Sequence, residues 1–454
     1  MASSISRRRV IQGTTWATPI VIASSAVPVY ASSREKCVPD ISVPVNQNLT
    51  NDGSSTLEAF TIPAGVETVT FRITGGVGGS YRGLAMHGSG GRGALITGTL
   101  AVKENDVLKF VLAGGGAYNR DKPTEPGKGW ANGGSHGPSY KTTDARTVKF
   151  FEGPNTAEEY YGPTGGGASA VFLNDKLIAV AGGGGGAGTR FYSYTVWNDM
   201  QSGPQPKEFL PLVLETTEAA QGGSGGAGNG ANGSSFSEIY KFFPGPSIRA
   251  NGGFAGENGK GGAGAATGGL RNMDSNASIV FATNDENDVF YEDVAGKSGE
   301  DATLDRNSLG NNGGTGGGSV VGRAFVDNRQ FTHKYLHQGA LVHSSTGGGG
   351  YGGGGSGSVT TAGAYASDQR WVKYDRGGWA PVGAAAVSGG AGAGGSYLTH
   401  DDALLEGQIL PDLATRPATA LSRINAVAEL SWCRLPNNED PKKENSDNKD
   451  NKGE

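Results

Sequence analysis

Residues 165–186 read Gly-Gly-Gly-Ala-Ser-Ala-Val-Phe-Leu-Asn-Asp-Lys-Leu-Ile-Ala-Val-Ala-Gly-Gly-Gly-Gly-Gly and contain both kinds of segment from which the chain is built. Ala168–Leu173 and Lys176–Ala181 are short apolar runs of strand length. Asn174-Asp175 between them is a two-residue connection suited to a hairpin, since both residue types tolerate a left-handed backbone. On either side the chain passes into glycine.

The same alternation extends outward in both directions. Leu57–Ile62, Thr68–Thr74, Leu95–Val102, Val107–Ala113, Ala277–Ala282, Ser319–Val326 and Ile424–Trp432 are further strand-like runs. Pro63-Ala64-Gly65 and Lys103-Glu104-Asn105-Asp106 supply turns between neighbours. Helical periodicity is nearly absent, so the expectation is an all-β protein built as a β-sandwich.

Eighty of the 454 residues are glycine, more than twice the usual share of about 7%. Glycine loses the most backbone entropy on folding and contributes no side chain to bury, which points towards disorder. The interspersed strands argue against a wholly disordered chain. The glycine-dense stretches, near 75–93, 114–137, 162–188, 222–234, 252–269, 310–323, 347–357 and 377–395, follow no fixed period and are not collagen-like. Two readings are open for them. They are flexible linkers, or they form polyproline-II-type helices, about three residues per turn, whose outward N–H and C=O groups bond to neighbouring helices.

Gly165–Phe172, Leu177–Gly186, and Val69–Gly79 leading to Gly93–Leu100 resemble the glycine-rich domain of secreted bacterial proteins and of the anaplastic lymphoma kinase extracellular region. The resemblance covers about residues 40–400. It implies a tumour-necrosis-factor-like β-sandwich of jelly-roll type with packed polyglycine-II helices and loop insertions. No ligand-contact residue can be matched, and function does not follow from fold alone.

The first 31 residues read as an export signal: a charged start, a weakly apolar Gly13–Val27, then Val29-Tyr30-Ala31 as a small-x-small cleavage site. Ser6-Arg7-Arg8-Arg9-Val10-Ile11-Gln12 resembles the twin-arginine export pattern, with Gln12 where lysine is usual. The segment looks like actinobacterial signal sequences. The expected organisation is a signal peptide over 1–31, one glycine-rich domain over 32–436, and a disordered polar tail over 437–454. No other apolar run is long enough to span a bilayer, so a secreted, extracellular or loosely surface-associated protein is expected.

The chain carries a formal charge of −5. Because residues 1–31 hold three arginines and no acid, the remainder carries −8. An acidic chain without a basic cluster is poorly suited to nucleic acid. The two cysteines, Cys37 and Cys433, bracket the expected domain, and in an oxidising compartment their placement predicts a disulfide.

Four stretches depart from the glycine pattern, 189–220, 270–310, 325–346 and 366–380. The first carries Phe191, Tyr192, Tyr194 and Trp197, and the last Trp371, Tyr374 and Trp379. On loops, such aromatics form platforms for an extracellular protein or carbohydrate ligand, or they cover the underlying sheet. These seven are the candidate ligand-binding residues.

Motifs for catalysis are weak throughout. Gly222-Gly223-Ser224-Gly225-Gly226 matches the spacing of a hydrolase nucleophile elbow but lacks the strand before and helix after the serine. Gly296-Lys297-Ser298 resembles the end of a phosphate loop, yet Tyr291 stands where the leading glycine belongs. His333, His337 and His343 lack the glutamate of a zinc protease, and Asp285-Glu286-Asn287-Asp288 lacks the glycine and spaced glutamate of a calcium loop. No cofactor, metal site or catalytic residue is therefore expected. The leading reading is a secreted, non-enzymatic structural or binding protein, used for adhesion, assembly or ligand capture. A secreted polysaccharide-active enzyme with loop-borne carboxylates and a self-assembling coat protein are the alternatives.

Overall fold

The computed structural model describes residues 41–45, 52–82, 87–139, 156–194, 222–223, 233–239, 243–271, 279–281, 291–303, 313–326, 338–366, 383–411 and 423–432. All lie within one compact unit, Pro39–Glu454. Among them the regular structure is entirely β. In chain order the strands are β1 Ile41–Pro44, β2 Thr56–Thr61, β3 Thr68–Thr74, β4 Tyr81–Arg82, β5 His87–Gly88, β6 Ala94–Ala101, β7 Val107–Leu112, β8 Thr156–Tyr160, β9 Ser169–Leu173, β10 Lys176–Ala181, β11 Arg190–Tyr194 and β12 Gly233–Ile239. They continue as β13 Phe243–Ala250, β14 Gly269–Arg271, β15 Ile279–Phe281, β16 Tyr291–Val294, β17 Val321–Val326, β18 Gln338–His343, β19 Val359–Ala366, β20 Gly383–Ser388, β21 Tyr397–Leu398, β22 Leu404–Pro411 and β23 Ala428–Trp432.

Two five-stranded antiparallel sheets, β1-β23-β3-β6-β22 and β2-β7-β9-β10-β21, contribute to one core. The alternation in β3 buries Val69, Phe71 and Ile73, and that in β6 buries Ile96 and Leu100. They meet Leu108, Phe110, Leu112, Val171 and Ile178 from the second sheet. Strands β9 and β10 read as continuous apolar runs because both their faces are covered. Val171 and Ile178 enter this core, whereas Phe172, Leu177 and Val180 pack on the other side with Trp130, Ala168 and Tyr351. Their hairpin turns through Asn174 and Asp175 at φ 50° and 65°, the left-handed pair that a tight two-residue hairpin needs. Asn174 then bonds across to the neighbouring turn, its amide donating to Asp106 and its oxygen accepting the Val107 N–H, both at 2.8 Å.

The sheets β11-β20-β19-β15, with β16 also on β19, and β17-β18-β8 share a smaller core of Tyr160, Val320, Val342, Val359 and Ala386. Within the second of these, β8 runs parallel to β18. Arg323 on β17 ties the two together: its side chain bonds Glu292 on β16 at 2.7 Å, while its carbonyl accepts the Thr361 hydroxyl of β19. Strands β12-β13-β14 and β4-β5 form the remaining small sheets.

Glycine segments join the strands of these sheets, and they are ordered by backbone hydrogen bonds to one another. Gly183, Gly184 and Gly185 donate in succession to Gly349, Gly76 and Gly223, and Gly186 returns to Thr346, on the segment that Gly183 also contacts. The segment 347–351 repeats the pattern. Gly347 and Gly350 both donate to the stretch holding Gly314 and Gly317, Gly348 and Tyr351 to that holding Gly392 and Gly395, and Gly349 to Gly166. Amides three residues apart thus reach the same neighbour, so each segment is bonded to several others around its axis.

Glycine is required here for space. A Cβ at Gly184 would land on the Gly91 carbonyl, and one at Gly354 on the Gly392 carbonyl. Serine and threonine enter these layers where they satisfy backbone groups. The Thr346 hydroxyl donates to Gly134 O and accepts from Gly165 N, and the Ser345 hydroxyl donates to Gly389 O at 2.7 Å.

Candidate functional site

The aromatic residues singled out in the sequence divide between described and undescribed positions. Phe191, Tyr192 and Tyr194 lie on strand β11, not on a loop. They stand opposite Ala386, Ala385 and Gly383 of β20. Trp197, Trp371, Tyr374 and Trp379 lie outside the described residues. The strand register nevertheless relates the two aromatic-bearing stretches. Tyr194, the last residue of β11, pairs with Gly383, the first of β20, and Ala364 of β19 pairs with the same glycine. The chain therefore leaves β11 towards Trp197, and enters β20 from Trp379, at neighbouring positions of one sheet end, although some 190 residues separate them in sequence.

A second cluster, of polar groups, lies beside the smaller core. Glu159 on β8 and His343 on β18 are brought together by the parallel pairing of those strands, with His343 Nε2 2.8 Å from Glu159 Oε1. The Ser139 hydroxyl donates to the other carboxylate oxygen at 2.5 Å. His343 Nδ1 is 3.3 Å from the Ser319 hydroxyl, which accepts the Gly137 N–H. The Tyr161 ring stacks on His343 at 4.3 Å, and His136 stands edge-on to both rings. Burial holds His136 far below the ordinary histidine range, at about 3, and nearby His343 lowers it further while the Gly162 backbone opposes the shift. Burial likewise raises the Tyr161 phenol, with Glu159 adding to the effect.

Serine, histidine and carboxylate in sequence are the parts of a nucleophilic triad. Here Ser319 is 3% exposed and His343 fully buried, so the hydroxyl faces the interior. The chemical effect of the arrangement is to satisfy a buried carboxylate and imidazole and to fasten three chain segments to one another.

Of the three histidines considered for metal binding, His333 and His337 lie outside the described residues, and His343 is committed to Glu159 and Ser319. No group of three or more metal-ligating side chains forms among the described residues. Ser298 of the phosphate-loop-like stretch accepts the Gly264 N–H and so joins the glycine bonding pattern. Ser224, Asp285–Asp288, Cys37 and Cys433 lie outside the described residues. Among those described, no helix is long and apolar enough to cross a membrane.

Sequence reasoning missed the polar cluster and the serine and threonine bonds within the glycine layers. The only available signal was polar residues set among glycines and alanines, as in His343-Ser344-Ser345-Thr346. No protein-family model and no curated protein matches this sequence.

Proposed function

We propose that the chain is an exported, non-enzymatic binding protein in which hydrogen-bonded glycine segments form a stiff platform for an extracellular protein or carbohydrate ligand. The observation that carries this reading is the pairing of Tyr194 with Gly383. It starts two aromatic-bearing stretches, one through Trp197 and one through Trp371, Tyr374 and Trp379, from the same end of one sheet. Aromatic rings bind sugar faces and protein surfaces with large area and little entropic loss, and a rigid base lowers that loss further.

The finer fold reading is part of the proposal. Two five-stranded sheets about one core support a β-sandwich of jelly-roll, tumour-necrosis-factor-like type. The three-residue repeat of amide partners supports polyglycine-II helices, whose turn is about three residues. Export through a signal peptide over residues 1–31 and membership of the glycine-rich secreted domain family complete it. The Cys37–Cys433 disulfide is supported by the pairing of Ile41 with Trp432, four residues from one cysteine and one from the other. Non-reducing peptide mapping should recover the linked pair. Two free thiols in the exported protein would remove it.

Ligand binding is tested by co-sedimentation of the full chain with insoluble polysaccharides and by tryptophan fluorescence titration with soluble glycans and candidate surface proteins. Trp371→Ala with Trp379→Ala should abolish binding without lowering the melting temperature. Binding that survives this change would refute the aromatic site.

A further inference from the structure

Among the described residues, strand β22, Leu404–Pro411, closes one edge of the first five-stranded sheet, with β6 on its inner side. Proteins usually guard such an edge, because its outward N–H and C=O groups pair readily with another strand. Here the usual guards are sparse. The strand has no lysine or arginine, one acid at Glu406, and a proline only at its last position. Among the described residues the irregularity between Leu404 and Glu406 is a further guard, and it releases Leu405 from the ladder with β6. Leu405, Ile409 and Leu410 are 52%, 41% and 38% exposed, three of the five large exposed apolar side chains among the described residues.

The order of residues along this edge says what fits it. Leu404-Leu405-Glu406-Gly407-Gln408-Ile409-Leu410 reads the same, by chemical type, from either end. A strand with that property is complementary to a second copy of itself running antiparallel, because a two-fold axis places residue i against residue j and j against i. Centred on Gly407, the register sets Leu404 against Leu410, Leu405 against Ile409 and Glu406 against Gln408, each pair occurring twice. Apolar meets apolar throughout. The carboxylate meets an amide that can donate to it, not its own symmetry mate, so no like charges face each other. A register shifted by one residue either way puts Glu406 beside Gly407 or a branched apolar side chain and loses this match.

We propose that β22 is a homodimerisation edge: two copies of this chain join through antiparallel β22–β22 pairing about Gly407, making their two five-stranded sheets one continuous sheet. The occupant is the chain itself, and the interface lies on a different sheet from the aromatic-bearing end, so dimerisation and ligand binding are separable.

Charge exchange across the axis tests this directly. Sedimentation equilibrium of the full chain should give a dimer. Leu405→Lys with Ile409→Lys sets lysine against lysine twice and should weaken it at least about a hundredfold, as should Leu405→Glu with Ile409→Glu. Both positions are exposed, so each variant should keep the parental melting temperature when the two are compared at a concentration where the parent is dissociated. An equimolar mixture of the two variants sets the introduced lysines of one copy against the introduced glutamates of the other and should restore the dimer. A monomeric parent, a dimer indifferent to both charged variants, or a mixture that stays monomeric would overturn the proposal.

Discussion

The core between the two five-stranded sheets and the glycine layers beside it solve the same problem by opposite means. In the first, Phe71, Ile96, Leu108 and Phe110 fill the interior with side chains, and backbone groups are satisfied along the ladders. In the second, backbone is the filling: Gly166, Gly184 and Gly349 have main chain on several sides and bond to it directly. The lesson concerns which substitutions each region tolerates. A side-chain core is damaged by removing atoms, typically ~3–5 kcal/mol for Phe→Ala. A backbone core is damaged by adding them.

The greatest loss of stability follows from this contrast. Gly184→Val places its Cβ on the Gly91 carbonyl, a backbone atom that cannot rotate away, and several neighbouring segments must move together. Loss of more than about 4 kcal/mol is expected, at least that of Phe110→Ala, whereas Gly453→Val should leave the denaturation midpoint unchanged. Equal midpoints for the two glycine variants would refute a core made of backbone.

An intermediate effect is expected at the polar cluster that abuts the glycine layers. His136 titrates near 3 in the folded chain against 6.5 ordinarily. The unfolded chain therefore binds the proton first as pH falls, and this stability is complete above about pH 6.5 and is lost between there and pH 3. The slope from this one group approaches about 1.4 kcal/mol per pH unit. His136→Phe, which puts a non-titrating aromatic ring in place of the imidazole, should flatten that part of the stability–pH curve. An unchanged slope would show that His136 is not held neutral against Tyr161 and His343.

The smallest effect sharpens the reason for glycine. Gly65 has φ +77° and open space where a Cβ would go, so Gly65→Ala should cost only the conformational strain, about 1 kcal/mol. Read beside Gly184→Val, it separates glycine needed for dihedral freedom from glycine needed for close approach.

How much of this could be seen in the sequence also differs between the two regions. Thr68–Thr74 and Lys176–Ala181 form strands with the bounds their residues predict, and Asn174-Asp175 forms the expected hairpin. Alternation and β-branching are local signals and survive folding there. The run Ile424–Trp432 begins its strand only at Ala428, because Ile424 and Ala426 instead bond Val77 and Ala113 beside the glycine segments. Strands β19 and β20, Val-Thr-Thr-Ala-Gly-Ala-Tyr-Ala and Gly-Ala-Ala-Ala-Val-Ser, are not legible in the sequence because small residues carry almost no periodic apolar signal. The neighbourhood of Tyr194 and Gly383, like that of Glu159 and His343, depends on pairing between distant strands, which no local pattern encodes.

The claim that backbone-to-backbone bonding among glycines forms a core is tested most directly by amide hydrogen exchange of the full chain under native conditions. The amides of Gly183, Gly184, Gly348 and Gly349 should exchange as slowly as those of Phe71 and Ile96 in the side-chain core, all opening together near the global unfolding free energy. Exchange of those glycine amides at the rates of an unstructured chain, with Phe71 and Ile96 still protected, would contradict the account.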